Sequence, residues 1–513
     1  MATKLFAAID VGSYELNLKI VEFGPNGMRE VDAVRYRLDL GTDTFSTGKV
    51  SIEKVDELCR IIGEFAKIMK SYHVTEYRAY GTSAIRETKN THILIDQIEQ
   101  RTGIRIDVIS NSEQRFLDYK SVASKGDDFD KTIGKGTAII DIGGGSIQIS
   151  LFDNDKLDVT QNMKLGVLRL RERLNNLAAK PSRHGALLDE MIGAQLSVFD
   201  KLYLKNRKIE NLIIVDDYIS PITLKRTMDS DTPGFINAER FEAFFERLKV
   251  MNAVEFSRKY SVALENISLV FVSAQIIRSV IALTGAKTIW CPGVSLCEGI
   301  AYEYGESKKL LVSPHDFEED IVACARNIGK RYMSDDKRSQ TLESICMTIF
   351  DAMKKRHGLT ERDRLLLRIS TILHDCGKYI SLYNLATCSY DIIMSTEIIG
   401  LSHAEREIVA NVVKFNHRFF DYDATVSGVE HLGEEAYMKI AKLTAILRVA
   451  NGLDKSQKQK FGCIKATLKD DVLTITVRTN KDITYERGMF EMRADFFEEV
   501  FCVRPQIKHI NKL

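Results

Sequence analysis

The sequence is poor in residues that interrupt or staple a chain. Its 513 residues hold 7 prolines and 31 glycines, which excludes a collagen-like repeat and a proline-rich low-complexity architecture. None of its nine cysteines stands in a Cys-x-x-Cys pair. Such an odd, scattered set in a long chain reads as reduced thiols, mostly small buried hydrophobes. No apolar run approaches the roughly 18 residues that cross a bilayer. The apolar stretch in MATKLFAAID is too short for a signal peptide before it meets an acid. A soluble, cytoplasmic protein with no membrane contact is the default expectation. An excess of charge is also lacking: 72 Lys and Arg balance 71 Asp and Glu, for a net +1. That argues against a generally basic nucleic-acid coat protein, while leaving room for a local basic channel. The single tryptophan, Trp290, lies in an apolar strand and is expected in the core.

What is present is ordinary globular chemistry. A composition of 44% hydrophobic and 28% charged residues rules out a disordered chain. At roughly 100–200 residues per domain, the length suggests three or four domains.

The N-terminal half alternates strands and helices. Leu5 to Ile9 is a short apolar run ending at Asp10, and Leu16 to Phe23 alternates as a strand does. GPNG (Gly24 to Gly27) supplies a turn. Ser51 is placed to cap a helix whose apolar face is Val55, Leu58, Ile61, Ile62, Phe65, Ile68 and Met69. The same opening pattern returns near Gly134. Thr137 to Ile140 is apolar and ends at Asp141, glycines follow, Ile147, Ile149 and Leu151 alternate, and FDNDKL turns the chain. The two acids are 131 residues apart. A repeat of that size suggests two related α/β lobes facing a cleft.

From about Glu306 glycine becomes rare and helical periodicity dominates, as in Arg338 to Lys355 and Arg362 to Leu373. SPHD (Ser313 to Asp316) looks like the start of the first of these helices, with Pro314 in its opening turn. After Leu453 the texture changes again. Ile464 to Leu468 and Val472 to Val477 read as a hairpin in a small α+β tail. The expected domains are 1–125, 126–305, 306–453 and 454–513.

DIGGGS, Asp141 to Ser146, carries the strongest chemical signal. Three glycines let the backbone approach an anion, and their N–H groups suit phosphate oxygens. Asp141, at a strand's carboxyl end, is placed to hold a metal through water. DVGS, Asp10 to Ser13, stands in the equivalent place of the first repeat, so the two turns read as a two-sided phosphate clamp with a divalent cation between. GTSAIRETKN (Gly81 to Asn90) adds Thr82 and Ser83 at a helix start and Arg86 on its first turn, where a guanidinium suits a phosphate.

Together DVGS, GTSAIRETKN, VISNSEQR (Val108 to Arg115), DIGGGS and CPGVSLCEG (Cys291 to Gly299) resemble the exopolyphosphatase and guanosine-pentaphosphate phosphohydrolase (Ppx/GppA) family. The resemblance implies an α/β fold: a two-lobed actin-like, sugar-kinase-like (ribonuclease H-like) module, then an all-α HD-like domain and a small α+β tail. It implies metal-dependent release of terminal phosphate from inorganic polyphosphate or guanosine pentaphosphate, with Mg²⁺ or another divalent cation, and a homodimer. Carried over residue by residue, Gly12, Ser13, Thr82, Ser83, Arg86, Gly143, Gly144, Gly145 and Ser146 hold phosphate. Asp10 and Asp141 are expected to hold the metal, and with Glu113 they are the three acids near the cleft expected to serve catalysis.

The chain departs from the family pattern at the chemistry. The glutamate usually given the base role aligns with Gln114, and the acid after GGGS aligns with Gln148. An amide keeps size and hydrogen bonding but cannot take a proton at neutral pH. Tyr14 and Glu15 also differ from the family, and DDYISP (Asp216 to Pro221) replaces a glycine-rich turn. That loss argues against a kinase of the same superfold. Two accounts stay open. Either Glu113 or Glu15 supplies the missing carboxylate and hydrolysis survives, or the site binds a phosphorylated ligand without turnover.

LHDCGK, Leu373 to Lys378, resembles the His-Asp doublet of HD-type metal phosphohydrolases. Arg338, Cys388 and Asn451 stand where further ligands belong, although His417 remains. The expectation is a structural His374–Asp375 hydrogen bond in a helical accessory domain, with no complete metal set.

Overall fold

The computed structural model of the chain describes residues 4–25, 27–153, 156–177, 183–205, 207–225, 232–423, 430–461 and 464–511. It divides into two compact units, Met1–Asp316 and Phe317–Leu513.

The first unit is built on two sheets. In the first sheet, β1 (Lys4–Val11), β2 (Glu15–Gly24) and β3 (Gly27–Arg37) form an antiparallel meander. Strands β4 (Tyr77–Gly81) and β5 (Asp107–Val108) extend it parallel to β1, in the order β3-β2-β1-β4-β5. Burial of both faces explains why Leu5 to Ile9 of β1 are all apolar. Ala7, Ile9 and Val11 pack on one face with Leu58 and Phe65, while Phe6 and Ala8 pack on the other with Cys297 and Ile300. The helices of this lobe are α1 (Leu40–Ser46), α2 (Ile52–Ser71), α3 (Ser83–Glu87), α4 (Thr91–Thr102) and α5 (Asn111–Ala123). Helix α2 buries Val55, Leu58, Ile61, Ile62, Phe65 and Met69, the face its spacing predicts. Ser51 occupies the cap position without a side-chain cap bond; its backbone N–H donates to Asp43 Oδ2 at 2.9 Å instead.

The second sheet repeats this plan. Strands β6 (Thr137–Ile142), β7 (Ile147–Asp153) and β8 (Lys156–Met163) form the meander, and β9 (Asn211–Asp216) runs parallel to β6. The edge is β10 (Phe235–Asn237) and β11 (Thr288–Trp290), giving the order β10-β11-β9-β6-β7-β8. The repeat read from two Asp-x-Gly segments is thus a repeat of whole sheets: a central strand, two antiparallel neighbours on one side, and parallel strands on the other. Trp290 is buried and stacks on Phe235 with ring centroids 5.4 Å apart.

Several features differ from the sequence expectation. The helix Leu296–Ser307 returns to pack on β1 of the first lobe, so the chain crosses between lobes twice and the first unit runs past residue 305. The second unit opens with the helix Phe317–Arg331, and Pro314 lies before it rather than in its first turn. Leu264–Thr284 is long and apolar enough to cross a membrane, with a mean hydropathy of 1.9. Its Leu269, Val272, Ile276 and Ile277 are core residues of the second lobe, so its apolar composition serves a broad buried face.

The described residues of the second unit between Phe317 and Leu453 form helices and their connections, and a three-stranded sheet follows. The expected hairpin is β12 (Ile464–Lys469) with β13 (Val472–Arg478), and β14 (Arg504–Ile510) joins β13 in parallel after the helix Thr484–Phe501. Among the described residues every cysteine is free; Cys463 and the tips of both expected hairpin turns (Asn26, Asn154, Asp155) lie outside them.

Candidate active site

The two repeats end in the same turn. At the end of β1 the Gly12 N–H donates to the Glu15 carbonyl at 3.0 Å, and at the end of β6 the Gly143 N–H donates to the Ser146 carbonyl at 3.0 Å. Asp10 and Asp141 precede these turns by the same two residues. Each pairs across its hairpin with an amide residue, Asp10 with Asn17 and Asp141 with Gln148.

The turns meet face to face. A Cβ on Gly144 would lie 3.0 Å from Ser13 Cβ, and one on Gly145 would lie 3.0 Å from Ser83 Oγ. Glycine is required here by close approach, not by backbone dihedral angle. Ser13 Oγ and Ser83 Oγ share a hydrogen bond of 2.7 Å, which ties the first turn to the Thr82–Ser83 corner. From behind, the helix Val167–Asn176 pins the second turn. Val167 and Leu168 N–H donate to the Gly143 and Gly144 carbonyls at 3.1 and 3.0 Å. Arg169 Nε donates to the Gly145 carbonyl at 2.8 Å, its Nη2 reaches Glu87, and its guanidinium lies over Phe45.

One crevice lies between these turns. Asp10, Gly12, Ser13, Thr82, Ser83, Asp141, Gly143 and Gly144 line it, as the sequence expects, together with Glu15, Gln114, Asp118, Asp216 and Asp217. Gly145 packs on Ser83 and, like Ser146, lies outside that lining. Two expected residues point to other work. The Glu113 carboxylate accepts from the Ser110 N–H at 2.8 Å, closing a capping box at the start of α5. The Arg86 guanidinium donates to the Ile109 carbonyl at 2.8 Å and to Asn111 Oδ1, bracing α3 against α5. Neither lines the crevice.

Sequence reasoning missed Asp118. It lies on α5 one turn beyond Gln114, so both face the crevice. The available signal was this spacing: an acid four residues after an amide at a site expected to carry an acid. Asp118 is only 5% exposed, and its carboxyl sits within hydrogen-bonding reach of Asp141.

The crevice is strongly acidic. Six carboxylates line it, and no Lys, Arg or His does so among the described residues. Burial, then Asp217 and Asp141, pushes the Asp10 carboxyl up to about 7. Burial raises Asp141 to about 7 against the pull of the Asp118 bond and the Arg115 charge. Burial and Asp217 lift Glu15 to about 7, although Arg35 lies 3.1 Å away. Asp118 is raised well above the carboxylate range by burial and by Asp141 and Asp10. Asp216 differs in being fully committed. It accepts from the N–H groups of Tyr218, Ile219 and Ser220 and from the hydroxyls of Ser220 and Ser273. This carboxylate supplies the closure of the DDYISP loop that a glycine-rich turn would otherwise provide. Gln148 is likewise structural: its amide donates to Ser150 and Thr160 at 3.0 and 2.9 Å, and it does not line the crevice.

In the second unit the expected His374–Asp375 hydrogen bond does not form, their closest approach being 3.6 Å. His374 Nδ1 instead donates to the Thr371 carbonyl, and His417 Nε2 donates to the His374 carbonyl. The Arg338 guanidinium fills the centre, donating to Asp375 at 3.2 Å and Asn451 at 2.8 Å.

The family model for the Ppx/GppA phosphatase family matches residues 20–307, more than half of the chain, and the model for domain III of these phosphatases matches residues 322–492. The chain belongs to the Ppx/GppA phosphatase family. Among similar Ppx/GppA proteins is exopolyphosphatase 1 of Mycobacterium leprae, 29% identical over 190 residues, which are 37% of this chain and 55% of that one. The guanosine-5′-triphosphate,3′-diphosphate pyrophosphatase of Photobacterium profundum is 20% identical over 422 residues, 80% of each chain. The crystal structure of an exopolyphosphatase from Cytophaga hutchinsonii shares the fold at a TM-score of 0.54 and 19% identity, covering 60% of this chain and all of that one. The two-lobed α/β architecture is therefore that of the Ppx/GppA fold.

Proposed function

We propose that this protein is a phosphohydrolase that removes the terminal phosphate from inorganic polyphosphate or from a guanosine pentaphosphate-type ligand, with a divalent cation such as Mg²⁺. The names of the relatives support the reaction class. The observation that carries the reading is the facing pair of Asp-x-Gly turns, joined through Ser13 and Ser83 around one crevice. Backbone N–H groups and the Ser13, Thr82 and Ser83 hydroxyls suit phosphate oxygens.

A polyanion does not enter a crevice lined by six carboxylates without cations, because like charges at these separations repel by several kcal/mol. Asp10 Oδ1 and Asp118 Oδ2 are buried and make no hydrogen bond. Such oxygens fit a divalent cation, and Asp10 and Asp141, at the ends of β1 and β6, are the residues that would hold it. Among the described residues no three ligands already converge as a cage. The set suits an ion that keeps several waters and takes further oxygens from the substrate. Bound there, the ion supplies neutralisation of the charge on the transferring phosphoryl group. The protein's own part is to orient the terminal phosphate between the two turns and to exclude bulk water.

We extend the reading to a cytoplasmic homodimer whose second unit is an HD-like accessory domain; the match to domain III supports the second unit's place in this family alone. The decisive test is phosphate release from long-chain polyphosphate and from guanosine pentaphosphate with Mg²⁺, with Asp141→Ala as control. Release lost by more than about a hundredfold in the control supports the reading. Tight ligand binding with no release above the control supports a sensor without turnover.

A further inference from the structure

We propose that the second unit carries a binding site for a compact phosphoryl anion, orthophosphate or a phosphomonoester, rimmed by Lys455 and Arg493 beside the buried Arg338. The site is built wholly from residues of that unit and does not rest on the phosphohydrolase reading.

The floor of the site is balanced in charge. Arg338 donates to Asp375 at 3.2 Å, Lys378 donates to the same carboxylate at 2.7 Å, and Asp454 lies 3.8 Å from Arg338 Nε. Arg338 is 3% exposed, and its Nε is a buried donor without a hydrogen bond. His374 and His417 add no charge, because burial lowers them to about 4 and about 3 and leaves both neutral at neutral pH.

Two helices bring further cations to this floor. Gly433–Leu453 and Thr484–Phe501 cross closely at Gly452, where an added Cβ would lie 3.0 Å from Phe490 Cα. One turn before Gly452, the Arg448 guanidinium lies 4.6 Å over the Phe496 ring. Arg493 stands three residues from both Phe490 and Phe496, so it shares their side of its helix. Lys455 follows the end of the other helix. Arg448 is committed to the Phe415 and Arg418 carbonyls. Lys455 and Arg493 are not. Both are partly buried, and among the described residues neither has a hydrogen bond or a carboxylate within 4.0 Å. Burial and the charges of Arg493, Arg338 and Lys378 hold the Lys455 ammonium below the ordinary lysine range. Burial lowers the Arg493 guanidinium as well.

Two unpaired cations held together out of bulk water repel each other and lose hydration, a cost that a polar network of neutral groups does not offset. A dianion matches their charge. The forked donors of Arg493 and the rotating donors of Lys455 need several acceptor oxygens at once, which a tetrahedral phosphate supplies and a single carboxylate does not. A metal ion is repelled by the same residues.

Calorimetry and thermal melting of the full chain in EDTA test the proposal. Without divalent cations the acidic crevice of the first unit repels phosphate, so binding there does not contribute. Orthophosphate is expected to bind wild type and, at about ten times its dissociation constant, to raise the melting temperature by at least about 2 °C over chloride of equal ionic strength. Lys455→Gln and Arg493→Gln are each expected to lower the affinity at least about tenfold. Without phosphate their melting temperatures should be unchanged or higher, because each relieves repulsion. Lys455→Arg, which keeps the charge, should retain most of the affinity, and a loss equal to that of Lys455→Gln overturns the charge argument. Guanosine 5′-monophosphate separates the two sources. Tighter binding than orthophosphate, lost in the Gln variants, assigns a phosphomonoester, and weaker binding assigns the free ion; both support the site. No binding of either probe to wild type in EDTA, or binding that both Gln variants retain, overturns the proposal and leaves the phosphohydrolase reading to its own test.

Discussion

The Arg338 guanidinium lies 3.2 Å from the Asp375 carboxylate, and both side chains are almost wholly buried. A second carboxylate, Asp454, lies 3.8 Å from Arg338 Nε. A permanent cation therefore occupies the place where the His-Asp resemblance would seat a metal. Removing it would leave Asp375 to Lys378, 2.7 Å away, and Asp454 to the N–H groups of Gln459. Arg338→Ala is expected to destabilise the protein by about 3–5 kcal/mol, measured by urea denaturation. A loss below about 1 kcal/mol would mean that Lys378 and Gln459 suffice for these carboxylates.

The acidic crevice gives stability a definite pH dependence. The raised Asp10, Glu15 and Asp141 carboxyls, each at about 7, hold protons in the folded state that the unfolded chain releases near pH 4. Native protein then binds more protons than unfolded protein between these values, so stability falls as pH rises through 7. His374, lowered to about 4, and His417, lowered to about 3, both by burial, act oppositely, but their gain is complete above about pH 6.5. Asp10→Asn isolates the crevice. Its stability relative to wild type should rise between pH 5 and 8 by more than about 1.4 kcal/mol, one pKa unit. Added Mg²⁺ should stabilise wild type more at pH 8 than at pH 5.5. A flat difference in metal-free denaturation would refute the buried-acid picture.

Gly166 sits where no side chain fits. A Cβ there would lie 2.3 Å from the Gly144 carbonyl oxygen and the Ser146 nitrogen. Gly166→Ala is expected to cost about 1–3 kcal/mol as overpacking and to displace the second phosphate turn, lowering phosphate release. Gly63, inside α2, has nothing within 4 Å of the same added atom. Gly63→Ala should stabilise by about 0.5–1 kcal/mol without changing activity. Parallel melting curves and assays separate the two, and equal behaviour would remove Gly166 from the turn's support.

The two family acids replaced by amides are not equivalent. Gln148 donates both of its hydrogen bonds inside a buried Ser150–Thr160 network. Gln148→Glu is expected to lose those donations, to destabilise by about 1–3 kcal/mol, and to bring no gain in phosphate release. Increased release would show that the amide is a catalytic lesion after all.

Strand and helix periodicity fixed much of the architecture in advance, because β1, α2 and the β12–β13 hairpin bury faces spaced at two or 3.6 residues. The two Asp-x-Gly segments likewise announced the repeat, since both turns need glycine for close contact. Partner choice was not legible. Local motifs offered Glu113 and Arg86 as site residues, and only the assembled lobe commits both to the start of α5. The sequence by itself determined that two phosphate-type turns exist and that amides stand at 114 and 148. Tertiary structure alone decided that Asp118 shares the crevice, that Gln148 does not, and that Arg338 lies between Asp375 and Asn451. Those relationships join residues distant in sequence, and a side chain's direction follows from the elements packed around it.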